Sequence, residues 1–267
     1  MSELVQYTAD NGIASVTLDS PHNRNALSTK LVQGVVDGLQ QAAHDDGVRV
    51  VVLTHTGGTF CAGADLQEAS DTAGDQLDPM EVAKLRTRQM RDLLRGIVAH
   101  PKPIVAQVNG HVRAGGMGLV GACDLVAAGP ESTFALTEAR LGLAASIISL
   151  TLLPKLDSRA ASRYFLTGEK FGSAEAARIG LITEASADPA ETVAAWCAEL
   201  RKGSPQGLAE SKALTTRDVL AGIDQRGDEL AALSARLFAS EEAREGMIAF
   251  LQKRPPRWAG EFETAGR

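Results

Sequence analysis

Hydrophobic and polar positions alternate between two spacings along the chain, and the change of spacing marks the elements. Leu4–Thr8 and Ile13–Leu18 are β-prone and flank Asp10-Asn11-Gly12, whose Asn-Gly pair tolerates the positive φ of a tight turn, so the chain is predicted to open with a hairpin. Ser28 then precedes Leu31, Val35, Leu39 and Ala42, a helical repeat that predicts a Ser-capped helix to about Ala43. Val48–Thr54 is rich in β-branched residues, as expected of a strand buried on both faces. Residues 69–79 carry acids, Gly74 and Pro79 with few apolar anchors, which predicts a surface loop before a helix from about Met80 to Ala99. Pro103–Val108 and Leu125–Ala128 read as further strands. Beyond Ala144 the pattern is almost entirely helical, with helices expected near 146–153, 159–166, 173–179, 190–202, 205–215, 219–239 and 241–253. Strands first and helices after indicate an α/β protein with a helical C-terminal part.

Composition narrows the chemistry. The chain has 267 residues, 44% of them hydrophobic, enough for a sizeable core without covalent staples. A net charge of -6 argues against a nucleic-acid partner, whose phosphates require clustered Lys and Arg. Cys61, Cys123 and Cys197 are widely spaced and fit neither a disulfide framework nor a zinc site, so they read as reduced thiols and no metal is expected. The N-terminus has no basic and apolar leader and no apolar run approaches a bilayer span, which predicts a soluble, cytoplasmic protein with no membrane partner.

Two segments combine small residues with a strand-to-helix position. Thr59-Phe60-Cys61-Ala62-Gly63-Ala64-Asp65-Leu66 follows the Val48–Thr54 strand. Asn109-Gly110-His111-Val112-Arg113-Ala114-Gly115-Gly116 follows the Pro103–Val108 strand. Each is compatible with a mere tight turn. Together they make two places where free backbone N–H groups could converge on developing negative charge. Gly116-Met117-Gly118-Leu119-Val120-Gly121 matches G-x-G-x-x-G, but it begins too far beyond the strand end to be a dinucleotide fingerprint. No G-x-S-x-G elbow, Walker loop or H-E-x-x-H occurs.

The ordered set Asn23-Arg24-Asn25-Ala26-Leu27, Phe60 through Leu66, Pro101-Lys102-Pro103 leading to Asn109-Gly110 and Gly115-Gly116, and Phe134 through Glu138 resembles the crotonase (enoyl-CoA hydratase/isomerase) family. The likeness continues through Leu166-Thr167-Gly168-Glu169, Ala174 through Leu181, and Glu245-Gly246-Met247 with Phe250, Lys253 and Arg254. It therefore spans nearly the whole chain. The resemblance implies a ββα spiral core, here residues 1–200, and a helical C-terminal region, residues 201–267, that trimerises, commonly into a dimer of trimers. It implies an acyl-CoA substrate and no cofactor, coenzyme A being part of the substrate.

By the same resemblance the backbone N–H groups of Ala64 and Gly115 form an oxyanion hole. Ala62, Asp65 and Leu66 border the adenine and pantetheine, Arg24 and Ala26 line the CoA channel, and Phe250 and Lys253 approach CoA. Hydratases of the best-known type carry two glutamates. Here the first position is Gly118 and only the second is retained, as Glu138, which makes Glu138 the candidate catalytic residue. Gly118-Leu119-Val120, Arg140 through Leu143 and Ile147-Ile148-Ser149 look most like bacterial methylglutaconyl-CoA hydratase-like members, which keeps hydration ahead of double-bond isomerisation or a non-catalytic acyl-CoA-binding role. Arg113 and Gly118 are candidate contacts for the acyl tail, Arg113 through a distal carboxylate.

Overall fold

The computed structural model describes residues 3–65, 68 and 79–260. The predicted hairpin forms from β1 (Val5–Asp10) and β2 (Ile13–Leu18), with Asp10 opposite Ile13. Asn11 and Gly12 both take positive φ at its turn, which is what the Asn-Gly pair supplies. Helix α1 (Thr29–His44) starts where Ser28 accepts a hydrogen bond from the Leu31 N–H, 3.2 Å away, and it buries Leu31, Val35, Leu39 and Ala42.

β2 pairs in parallel with β3 (Val50–His55), β3 with β5 (Ile104–Val108), β5 with β7 (Leu125–Ala128), and β7 with the short β10 (Glu184–Ala185). β3 is buried on both faces, as its composition requires. Val51 and Leu53 join the main core under the helices, whereas Val50 and Val52 pack with Val105, Ala127 and the helix residues Val193 and Cys197 on the other side.

A second sheet holds β4 (Thr59–Cys61), β6 (His111–Arg113), β8 (Thr133–Ala135) and β9 (Phe171–Gly172). Three strands of the first sheet, β3, β5 and β7, each lead into a short strand of the second. β5 and β6 lead to α3 (Gly115–Ala122), while β7 and β8 lead to the 3-10 turn Glu138–Leu141 and then α4 (Ser146–Leu152). β3 and β4 precede α2 (Pro79–Val98) in the same way. This is the crotonase-type ββα spiral. The segment expected as a surface loop at 69–79 lies outside the described residues except for Pro79, which begins α2.

Six further helices follow among the described residues: α5 (Ser158–Thr167), α6 (Ser173–Arg178), α7 (Pro189–Leu200), α8 (Pro205–Phe238), α9 (Glu241–Leu251) and the short α10 (Arg257–Gly260). α8 is continuous where two helices, 205–215 and 219–239, were expected. Its buried face runs through Lys212, Thr216, Val219 and Ile223, so two polar residues on the inward side interrupt the apolar spacing without breaking the helix. Thr216 donates to the Lys212 carbonyl at 2.8 Å, which satisfies its buried hydroxyl. Val219, Ile223 and Ala231 of this helix belong to the main core. No helix among the described residues is long and apolar enough to cross a membrane.

Lys212 explains how α8 is held. Its ammonium donates to Asp124 Oδ2 at 2.7 Å and to the carbonyls of Ile97 and Lys102 at 3.0 and 3.3 Å. The same Asp124 oxygen accepts the Ile104 N–H at 2.7 Å. One buried ion pair therefore ties α8 to the starts of β5 and β7, the strands that lead into the site. Lys212→Ala leaves Asp124 without its cation, and we expect a loss of about 3–5 kcal/mol of unfolding free energy in urea titration. A loss below about 1 kcal/mol would mean that the clamp is dispensable.

Candidate active site

Three parallel strands bring the site together. β4 pairs with β6 through Cys61 opposite Val112, and β6 pairs with β8 through Val112 opposite Phe134 and Arg113 opposite Ala135. The segments that leave their C-terminal ends therefore emerge side by side, and they carry Ala64, Gly115 and Glu138. In parallel sheets this end of the strands is the usual place for ligands.

A fourth segment locks the first of these in place. Leu27 donates to the Gly63 carbonyl at 2.8 Å, Ala62 donates to the Arg24 carbonyl at 3.1 Å, and Asn23 Nδ2 donates to Asp65 Oδ2 at 3.0 Å. Leu27 and Ala64 form an isolated parallel bridge. Asn25 is fully buried and anchors the segment from below. It accepts from the Ser20 N–H at 2.7 Å and donates to the carbonyls of Thr56 and Thr59 at 3.1 and 2.8 Å. The sequence patch 23–27 thus works through backbone pairing and amide side chains, a role that its spacing alone did not reveal.

The two glycine-rich turns meet closely. A Cβ built on Gly63 would come 2.8 Å from Ala114 Cβ and 3.6 Å from the Gly115 nitrogen, and one on Gly115 would come 2.7 Å from Leu27 Cδ1. Only glycine permits that approach. Gly63 also donates to Cys61 Sγ at 3.4 Å, and burial pushes the Cys61 thiol up to about 12, which makes it a packing group rather than a nucleophile. Among the described residues neither the Ala64 nor the Gly115 N–H donates to a protein acceptor. Two adjacent, unspent donors are what an oxyanion hole requires.

Ala114 holds the second donor at a cost. Its backbone lies at φ 45° and ψ -117°, in a region that an L-residue with a Cβ rarely adopts. Strain of this sort amounts to about 1–3 kcal/mol and persists where the surroundings impose it. Here the Ala114 N–H donates to the Ala135 carbonyl at 3.3 Å, and its own carbonyl accepts from Met117 at 2.8 Å, fixing the Gly115 peptide between β8 and α3.

Glu138 begins the 3-10 turn, and it is only 9% exposed. Burial pushes its carboxyl up to about 7, and its Oε2 has no hydrogen-bond partner. The Glu138 carbonyl accepts from Leu143 at 2.9 Å, closing the turn. Helix α9 packs directly on it, since a Cβ on Gly246 would come 2.5 Å from the Leu141 carbonyl oxygen. The carboxyl is thus held rigidly in a poorly solvated position, poised to change charge near neutrality.

The remaining sequence candidates fall in different places. Arg24 is exposed with φ 61°, Ala26 is buried, Ala62 is half-buried, and Asp65 accepts from Glu68 at 3.2 Å as well as from Asn23. Leu66 lies outside the described residues. Phe250 and Lys253 are exposed near the end of α9. Arg113 directs its guanidinium to β8, donating to the Thr133 carbonyl at 2.6 Å and the Thr133 hydroxyl at 2.7 Å. That arrangement spends its donors on the short sheet.

Gly118 is buried, and the space beside it is filled. A Cβ there would come 2.5 Å from Ile148 Cγ2 and 3.3 Å from Met90 Cε. Met90 Cε also lies 3.6 Å from the corresponding position at Gly115, so an apolar wall of Ile148, Met90 and Leu27 stands over the first turn of α3. Neither Ile148 nor Met90 carried a sequence signal for this position, because the contact is made across elements. Gly118→Ala should therefore cost ~1–3 kcal/mol through overpacking, instead of the gain of up to ~1 kcal/mol that the same change gives in an open helix. In an Ile148→Ala background, which removes the Cγ2 contact and keeps the Cβ at 3.0 Å, the cost should shrink. Equal effects in both backgrounds, measured by chemical denaturation, would contradict the contact.

Comparison with known proteins agrees with this geometry. The enoyl-CoA hydratase/isomerase family model matches residues 8–261. A Thermus thermophilus protein is 35% identical over 249 residues, covering 92% of this chain and 97% of its own length. The bovine mitochondrial enoyl-CoA hydratase domain-containing protein 2 is 31% identical over 264 residues, covering 94% of this chain and 86% of its own. Among solved structures, an enoyl-CoA hydratase from Mycobacterium avium superposes with a TM-score of 0.89 at 55% identity, covering 97% of this chain and all (100%) of that one. With its spiral fold and a family match that runs across almost its full length, the chain belongs to the enoyl-CoA hydratase/isomerase family.

Proposed function

We propose that this protein adds water across the C2–C3 double bond of a 2-enoyl-CoA thioester. The observation that carries the reading is the Glu138 carboxyl, buried, with one oxygen unpartnered and a pKa near neutrality, on the segment adjacent to two unspent N–H donors. The thioester oxygen accepts from the Ala64 and Gly115 N–H groups. Ionised Glu138 takes a proton from water as the water oxygen attacks C3, and the π electrons move through C2 onto the thioester oxygen. The enolate so formed is stabilised by the two donors, and the loss of one such donor typically costs about 2.7–4 kcal/mol. Protonated Glu138 then returns the proton to C2, so one water is added and the carboxylate is regenerated.

In this reading the CoA moiety lies against residues 24–26 and 62–66 with Phe250 and Lys253 near its path, and no resident cofactor takes part. A second reading has a specific observation in its favour. With Gly118 at the first of the two glutamate positions and apolar Ile148 and Met90 packed over it, Glu138 is the carboxylate left for proton transfer, and one carboxylate can also carry a proton from C2 to C4 and move the double bond. Product analysis separates the two, since hydration yields a 3-hydroxyacyl-CoA and isomerisation a displaced enoyl-CoA.

Glu138→Gln keeps the shape and removes the base. The variant should lose about 100-fold or more in kcat with little change in KM, and wild-type kcat/KM should rise with pH through about 7 and then level off, because the working form of the free enzyme is ionised. Stability should move the other way. With its folded-state pKa raised above the ordinary 4.5, Glu138 contributes stability that is complete below that value and is lost as pH rises through about 7. The glutamine has no such loss, so its Tm should exceed that of wild type at pH 8 by more than at pH 4.5. Comparable kcat in the variant would remove Glu138 from the mechanism.

A further inference from the structure

Among the described residues three buried side-chain oxygens have no hydrogen-bond partner: Tyr7 Oη, Glu138 Oε2 and Ser146 Oγ. Tyr7 belongs to the opening hairpin, but the other two lie on the single stretch 138–146. An unsatisfied buried polar group costs about 1–3 kcal/mol, so two on one stretch need an explanation.

Ser146 does not act as a helix cap. Ser28, Ser204 and Ser240 each precede their helix and accept from an N–H of its first turn. Ser146 sits one residue inside α4, behind Ala145, and its hydroxyl caps nothing. Its backbone is occupied, with the N–H donating to Ala144 at 2.8 Å and the carbonyl accepting from Ser149 Oγ at 2.5 Å. Only the hydroxyl remains, and Ser146 is 7% exposed.

The packing of α3 on α4 fixes where that hydroxyl lies along the site. The Gly118 position meets Ile148, and three residues later the Gly121 position meets Leu152 Cδ2 and the Thr151 carbonyl. Thr151 Oγ1 also donates to the Gly118 carbonyl at 3.1 Å. The helices therefore run side by side in the same direction. α3 begins at Gly115 and α4 at Ser146, so in this parallel arrangement the first residues of both helices lie at the same end of the pair, the end that carries the oxyanion donor.

We propose that Ser146 Oγ and Glu138 Oε2 together hold the water that adds to the enoyl chain, an assignment that rests on the hydratase reading above. Water directs one hydrogen to Glu138, which removes it as the oxygen attacks C3. It directs the other to the Ser146 oxygen, which keeps it. A lone pair is thereby aimed at C3, and a single carboxylate suffices because a neutral acceptor fixes the second hydrogen. The proton taken by Glu138 is the one returned to C2, so Ser146 is unchanged at the end of the cycle.

The test uses the intact protein, with hydration of crotonyl-CoA and of a branched 2-enoyl-CoA followed by product analysis for wild type, Ser146→Ala and Ser146→Gly. Both variants should lose about tenfold or more in kcat while KM stays within about twofold. The Tm of Ser146→Ala should not fall, because the hydroxyl has no partner in the protein to lose, whereas Ser146→Gly carries the ordinary backbone cost of a helical glycine. Retention of kcat within about twofold of an active wild type would overturn the assignment and leave the hydratase reading standing. A fall in kcat of Ser146→Ala accompanied by a lower Tm and a raised KM would also overturn it, by showing a structural role. A wild type that hydrates neither substrate overturns the hydratase reading and this assignment with it.

Discussion

The site depends on the parallel pairing of three strands of only three residues each, Thr59–Cys61, His111–Arg113 and Thr133–Ala135, the first of which shifts register between Thr59 and Cys61 so that Cys61 meets Val112. Strands this short have little stability of their own. Their register is imposed by the longer parallel sheet that precedes them in the chain, and a slip of one residue would turn every side chain to the opposite face. Holding that register places the Ala64 and Gly115 donors and the Glu138 carboxyl on neighbouring segments. The rest of the molecule can be understood as the means of keeping it: β3 buried on both faces, the Asn25 amide under the first turn, and the Lys212–Asp124 pair at the start of the strands.

Several features of the site oppose folding. A strained Ala114 peptide, a carboxyl buried without a partner for one oxygen, and a serine hydroxyl with none at all each lower stability. In the proposed reaction the Ala114 peptide fixes the Gly115 donor for the thioester oxygen, and the attacking water satisfies the two oxygens. An enzyme of this type gains when its donors are fixed before the reaction begins, because no reorganisation is then needed as charge develops on the thioester oxygen. The surrounding core, which includes Phe60, Met117, Phe134 and Leu136, all at most 1% exposed, offsets the loss.

Much of this fold was legible in the sequence because the long elements carry their own signals. Asn11-Gly12, the Ser28 cap with its helical repeat, and the β-branched run around Val50–Leu53 each specify local structure directly. The short strands did not show, since three residues hold too little of any period. The break expected in α8 falls on the polar run Thr216-Arg217-Asp218, yet the helix continues because the inward Thr216 hydroxyl is satisfied by the Lys212 carbonyl. At the site, the family resemblance pointed to Ala64, Gly115 and Glu138 as single positions. The filling of the Gly118 space by Ile148 and Met90, and the turning of Arg113 to Thr133, are contacts between distant parts of the chain that no linear pattern encodes.

The central claim is that the Ala64 and Gly115 N–H groups act together on one thioester oxygen. Difference infrared spectroscopy of the protein with a saturated acyl-CoA carrying a 13C-labelled thioester carbonyl reads that interaction without turnover. The account predicts that the carbonyl stretch of the bound ligand falls below its frequency in water, as two aligned donors in a poorly solvated site polarise the bond more than solvent does. A bound ligand whose carbonyl stretch equals or exceeds the solution value would contradict it.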